Sequence, residues 1–357
     1  MAQGMKRDTA LAITGVTRHQ LYYQPKSGKA GRRGGHTTYR RMADGSKVPL
    51  GDQLVLEDIR ALKSDPATDC GYQKTARLLM LRGWYIGPKK TARLMREAGL
   101  MGARRKGPQR NYVKYRTVTP ERPLHVLEMD IKSAWCTRER RQAYILTILD
   151  TFTRQALHYS AALTMTRHQV KAAWDHVIEK HLQPADLLRK GLHVEVRSDN
   201  GPQFAAKLLG EYFKENHIGR VFTHPYTPQE NGHIESFHAL LGAFLKQHTF
   251  WSFDELLSVL PTFYRDYNTR RPHSSIAYLW PDLFDQAWHH GLIHRRVDQR
   301  KRVRFKLRVP YQELSGCRNL KGVSCLIPKG SPYHQEVSGP GSLLTPSVTQ
   351  SPSVVSC

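Results

Sequence analysis

The stretch 191–204, GLHVEVRSDNGPQF, alternates apolar and polar residues through Val194 and Val196 and then breaks at Ser198-Asp199-Asn200-Gly201. A period of two reads as a half-buried strand, and Asn and Gly favour the turn that ends it. Asp199 is therefore expected at the edge of a sheet and not in its core. Upstream, 124–135 (LHVLEMDIKSAW), 142–150 (QAYILTILD) and 154–162 (RQALHYSAA) read as three strands joined by hairpins. Residues 166–182 follow as an amphipathic helix with Val170, Ala173, Trp174 and Ile178 on one face. Downstream, 204–216 reads as helix, 219–223 as a short strand, 231–247 as a longer helix and 254–267 as another. Three strands, helix, strand, helix, strand, helix predicts an α/β domain: a mixed five-stranded sheet flanked by helices.

Charge points to a partner. The 357 residues carry 55 Lys plus Arg against 30 Asp plus Glu, a formal net charge of +25, which calls for a polyanion. Residues 1–120 hold 25 of the cations and 8 of the acids, or +17 of that total. Residues 24–50, rich in Gly, Ser, Pro and Arg, read as a flexible basic linker, and Thr9–Tyr23 as one short helix or the remnant of a longer unit. The segments 73–81 and 88–98 read as a helix-turn-helix in a small all-α domain, with Lys89, Lys90, Arg93 and Arg96 on the second helix. Next, 101–120 carries six Lys or Arg and no acid, among them Arg104, Arg105, Lys106 and Arg110, with Tyr112 and Tyr115 interleaved. Such a segment can track phosphates.

The division expected is 1–50 basic segment and linker, 51–103 helix-turn-helix, 104–123 basic linker, 124–285 core, 286–330 basic C-terminal segment and 331–357 Ser/Pro-rich disordered tail. No apolar run approaches the roughly 18 residues of a membrane span, so a soluble intracellular chain is expected. The five scattered cysteines contain no C-x-x-C pair and support neither a disulfide framework nor a zinc ribbon.

Three acids stand where the predicted elements converge. Asp130 lies on the first core strand, Asp199 follows the fourth, and Glu235 begins the last core helix. Carboxylates from two neighbouring strands and an adjacent helix form an oxygen cage, and oxygen-only ligands select Mg²⁺ or Mn²⁺ over zinc. Two such ions can stabilise an in-line phosphoryl displacement. Asn200, Asn231 and His238 are candidates to support that site or to touch DNA, the alternative for each being capping or turn formation. Arg270 and Arg271, with His273, either bind phosphate or cap the preceding helix. Asp150 reads as a turn residue pairing with Arg154, and Glu128, on the same strand face as Asp130, as a weaker rival ligand. His233-Ile234-Glu235 matches half of a zinc-deaminase signature, but no P-C-x-x-C follows.

Asp130, then Asp199 with Asn200-Gly201, then thirty-five intervening residues, then Glu235 within ENGHIES resembles the signature of retroviral integrases and bacterial transposases of the Asp-Asp-Glu class. RSDNGPQF (197–204), TPQENGHIESFHALL (227–241) and YNTRRPHSSIAYLWP (267–281) are most similar to blocks of the second-frame (OrfB-type) product of the IS-three insertion-sequence family. The resemblance spans roughly 50–285. It implies a ribonuclease-H-like core and a bacterial, cytoplasmic, nucleoid-associated enzyme. Water cuts a strand at the element's ends, and a DNA 3′-hydroxyl then attacks a target phosphodiester. Terminal inverted repeats and target DNA are the implied partners, with a homo-oligomer holding two ends. Transposases of this class often carry Lys or Arg a turn or two after the glutamate; here Ala239 and Gly242 occupy that face, leaving Lys246 as the substitute. The rival readings are a non-catalytic DNA-binding repressor, an inactive transposase copy, and a nuclease that cuts without joining.

Overall fold

The computed structural model describes residues 7–22, 35–102, 118–187, 189–223, 228–299 and 302–314. Arg104, Arg105, Lys106, Arg110 and the tail from 315 onward lie outside them. In the first segment, α1 (Arg7–Thr14) and α2 (Arg18–Tyr22) are two helices where one was expected. Gly15 separates them at φ +67°, a left-handed conformation that glycine adopts without strain.

The basic linker expected to reach residue 50 ends earlier. β1 (Thr37–Arg41) and β2 (Lys47–Gly51) form a hairpin that leads into α3 (Asp52–Ser64). α4 (Tyr72–Leu81), β3 (Trp84–Tyr85) and α5 (Pro88–Glu97) follow, and β3 pairs with β1 antiparallel. The domain is thus not all-α: its helix-turn-helix is closed by a three-stranded sheet in the order β2-β1-β3. The hairpin hides among Gly and Arg because its signals are side-chain contacts. Thr38 Oγ1 bonds Asp52 Oδ1 at 2.7 Å, and Lys47 Nζ lies 4.8 and 4.6 Å from the ring centres of Tyr39 and Tyr85. Pro49 is tolerated because β2 is an edge strand. Gly83 (φ +91°) sits where a Cβ would come 2.9 Å from the Arg41 carbonyl, so only glycine lets β3 approach β1. Behind this sheet, Asp58 accepts from Arg82 Nη1 at 3.0 Å and Trp84 Nε1 at 2.6 Å.

The larger sheet consists of β4 (Val126–Cys136), β5 (Arg141–Asp150), β6 (Ala156–Ala162), β7 (Val194–Ser198) and β8 (Ile218–Phe222). Its order is β6-β5-β4-β7-β8, with the first three antiparallel and β4, β7 and β8 parallel. α6 (Arg167–Val177, prolonged by a π-turn to Leu182) lies between β6 and β7, and α7 (Pro202–Ala205) with α8 (Lys207–Glu215) between β7 and β8. α9 (Gly232–Leu245) and α10 (Phe253–Thr269) follow. This is the ribonuclease-H-like mixed sheet expected. Period-two alternation divides each long strand between two cores. Leu127, Met129, Leu146 and Ile148 pack with Trp174 and Phe213 of α6 and α8, whereas Ala134, Cys136, Ala143 and Ile145 pack with Phe237, Leu241 and Tyr264 of α9 and α10.

The C-terminal segment is not separate from the helix-turn-helix. α11 (Pro281–His289), β9 (Ile293–Val297), β10 (Val303–Leu307) and α12 (Tyr311–Leu314) share one core with α3, α4 and α5. Leu283, Phe284, Leu307 and Leu314 pack among Val55, Ile59, Leu79 and Trp84. Gln312 Nε2 donates to the Trp84 carbonyl at 2.8 Å. Phe152, in the β5–β6 turn, reaches the same core, 4.8 Å from the Trp288 ring and 5.0 Å from Phe305. Among the described residues no helix is long and apolar enough to cross a membrane.

Candidate active site

Two carboxylates are set by strand register. The last paired rung of β4 and β7 is Glu128 opposite Arg197, so Asp130 and Asp199 each stand two residues beyond it on neighbouring parallel strands. β7 ends at Ser198, and the turn after it is closed by Asp199 itself, whose Oδ1 accepts the Gly201 N–H at 2.9 Å. Asp199 and Asn200 are exposed, and Asp130 is half-buried.

The helix beside them is clasped by a residue whose role the sequence reading missed. Glu128 is fully buried; its Oε2 accepts the Ile234 N–H at 2.7 Å and its Oε1 lies 2.8 Å from His233 Nδ1, both in the first turn of α9. A carboxylate at a helix N-terminus satisfies donors that would otherwise be orphaned and meets the positive end of the dipole. Burial nevertheless pushes the Glu128 carboxyl up to about 7, opposed by the Ile234 N–H and by Arg154 and Arg197. Both carboxylate oxygens of Glu128 are thus engaged by the start of α9. The available signal was an acid inside the apolar run Val126–Ile131, where a carboxylate must find partners.

One turn further along α9, His238 Nδ1 lies 3.2 Å from Asp130 Oδ2, with the ring buried. Glu235 is exposed in the first turn, three residues before His238 and so on the same helix face. The donors fit a hard cation: three carboxylates and no thiolate. Among the described residues, however, no three His, Cys, Asp or Glu side chains are drawn together closely enough to hold an ion. Asn231 Oδ1 and His238 Nε2 are buried without a hydrogen-bond partner beside this site.

Two family models, each described as integrase core domain, match this region, over residues 120–228 and 216–281. Together the two matches span residues 120–281. Over 219 residues it is 29% identical to the 31.7 kDa protein of insertion element IS407 from Burkholderia multivorans, covering 60% of this chain and 74% of that one. It is also 29% identical over 219 residues to the 39.2 kDa protein of insertion element IS476 from Xanthomonas euvesicatoria, spanning 60% of each. Among solved structures, a chain of the simian T-cell lymphotropic virus intasome aligns with a TM-score of 0.38 at 16% identity, over 64% of this chain and 74% of that one. The catalytic domain of Mos1 mariner transposase gives 0.35 at 14% identity, over 40% and 70%.

Around this region the other candidates divide. Asn200 Nδ2 reaches the Thr223 carbonyl at 3.4 Å. Asp150 is held by Thr153 Oγ1 at 2.7 Å and by the Phe152 and Thr153 N–H groups, both at 3.1 Å, so its carboxylate closes the turn instead of pairing with Arg154. Arg270 pairs with Asp65 and, at 3.5 Å, with Asp266, which ties the end of α10 to the end of α3. Arg271 is half-buried, its Nε without a hydrogen-bond partner. On α5, Lys90 and Arg93 bond Asp52 at 2.7 and 3.3 Å, while Lys89 and Arg96 are exposed. Lys246 caps the far end of α9, ~16 Å along the axis from Glu235. The β9–β10 hairpin exposes His294, Arg296, Arg304 and Lys306 on one face, with Arg296 directly opposite Arg304.

Proposed function

We propose that this chain is an Asp-Asp-Glu transposase of the IS-three type, a polynucleotidyl transferase that cuts DNA at the ends of its own element and joins them to a target. The observation that carries the proposal is Asp130 on β4 and Asp199 just past the end of its parallel neighbour β7, each two residues beyond the last shared rung, with Glu235 in the first turn of α9. In this reading the three carboxylates hold Mg²⁺ or Mn²⁺, as two ions. Such ions, held by Asp130, Asp199 and Glu235, would supply Lewis-acid stabilisation of the charge that develops on oxygen in an in-line displacement at phosphorus. His238 orients the Asp130 carboxylate through their 3.2 Å contact. Asn231 and Asn200 border the same site. One set of carboxylates serves both the attack by water and the attack by a DNA 3′-hydroxyl, because both are displacements at phosphorus.

The partner is double-stranded DNA, as terminal inverted repeats and as target. Its phosphates are met by Lys89 and Arg96 and by the cationic face of β9–β10, where directly opposed like charges favour an intervening polyanion. Two ends must be held together for joining, which calls for a homo-oligomer on DNA, acting at the bacterial nucleoid. The test is purified protein with Mg²⁺ and labelled DNA carrying the flanking repeats. Wild type yields nicked and joined products; Asp130→Asn binds as tightly or more tightly and yields neither. Nicks without joining would make it a nuclease, and wild-type binding with no product would favour a repressor or an inactive copy.

A further inference from the structure

β4 and α9 meet in a ladder of three rungs. Along β4, Glu128, Asp130 and Lys132 share the face toward α9, spaced ~6.6 Å apart at two residues per step. Along α9, Ile234, His238 and Gly242 are spaced ~6 Å apart at four residues per step. The two spacings nearly match, so the rungs fall in order. Glu128 accepts from the Ile234 N–H at 2.7 Å, Asp130 lies 3.2 Å from His238, and Lys132 crosses Gly242. A Cβ built on Gly242 would meet Lys132 Cε at 3.5 Å and Nζ at 3.8 Å. An alanine would make ordinary contact there; any longer side chain would displace the ammonium.

The first two rungs join polar groups, but the third sets a half-buried cation over bare helix backbone. Among the described residues no carboxylate pairs with Lys132. It also stands past the point where β4 has a parallel partner, because the pairing of β4 with β7 ends at Glu128–Arg197. A glycine inside a helix is less favourable than alanine by ~1 kcal/mol, so α9 keeps this notch at some cost in stability. A cation one strand step from Asp130, beyond the parallel pairing of β4, is matched to an anion beside the one attacked.

We infer that Lys132 binds the DNA phosphate next to the scissile one, delivering from the strand, through the notch at Gly242, the positive charge that the helix itself does not carry. The inference rests on the transposase reading for which phosphate is scissile. The phosphate contact itself is measured by binding alone.

The experiment follows the affinity of full-length protein for labelled end DNA across a salt series, together with the DNA dependence of joining. Lys132→Ala should weaken binding about tenfold and make the log–log salt slope shallower by about one, the signature of one lost phosphate contact. Its deficit in joining should appear in KM more than in kcat. Lys132→Arg should keep the wild-type slope. The decisive variant is Lys132→Ala with Gly242→Lys, which moves the cation from strand to helix and should restore the slope; Lys132→Ala with Gly242→Ala should not. An unchanged slope in Lys132→Ala overturns the inference, even if joining falls, because the lysine would then be supporting structure alone. Failure of the relocated lysine to restore the slope in a protein with wild-type circular dichroism overturns it as well. Wild type that binds but never cuts would defeat the transposase reading while the slopes still decide whether Lys132 meets a phosphate.

Discussion

At the scale of single residues, the site depends on where α9 begins. Glu128 fixes that start through the Ile234 N–H and His233, and Glu235 is the next residue along. Glu128→Ala leaves buried donors without an acceptor, which costs ~1–3 kcal/mol. We expect a lower denaturation midpoint and slower joining, whereas Glu128→Gln, which keeps a carbonyl for the Ile234 N–H, should recover most of the stability. An Ala variant as stable as wild type would remove Glu128 from this role. The positions of the three acids were legible in sequence because the period of their elements is plain: Asp130 lies within β4, Asp199 follows β7 and Glu235 stands in the first turn of α9. Glu128 was not, because its partners lie more than a hundred residues away in sequence and one of them is a backbone N–H. Arg270 was left open between phosphate binding and capping for the same reason: Asp65 is brought to it only by the fold.

At the scale of elements, strands and helices with a clear hydrophobic period, the five-residue β7 among them, formed where that period put them. β4, β5 and α9 lie within a few residues of where alternation and helical spacing put them. β1 (TTYRR) has no apolar alternation, β2 is interrupted by Pro49 and β3 has only two residues; they exist because tertiary contacts select them. Their keystone is Asp58, which receives both Arg82 and Trp84 with side chains about one-tenth exposed. Removing one partner of a buried ion pair costs ~3–5 kcal/mol. Asp58→Ala should therefore lower the urea midpoint strongly and expose Trp84 to fluorescence quenchers. A midpoint within error of wild type would show that the hairpin and helices stand without this bond.

At the scale of the whole molecule, the expected division into separate N- and C-terminal domains gives way to a shared core, because α11, β9, β10 and α12 lack enough apolar surface to bury alone and find it on α3, α4 and α5. A second global feature is acid sensitivity. Burial, and then repulsion from His176 and His181, depresses His158 to about 4. The folded state holds the ring neutral while the unfolded chain protonates near the ordinary value of 6.5. The stability this contributes is fully present above that value and is lost as pH falls toward 4. We expect the thermal midpoint to drop across that window, and to drop by less in His158→Gln; an identical drop would assign the effect to other groups. Asp130, Asp199 and Glu235 are proposed to share one cation site. It is tested most directly by Mn²⁺ affinity, read by water-proton relaxation, of the DNA-bound protein and of Asp130→Asn, Asp199→Asn and Glu235→Gln. A Mn²⁺-loaded wild type and weakened binding in all three variants are expected; wild-type affinity in Glu235→Gln would rule out a site shared by the three acids.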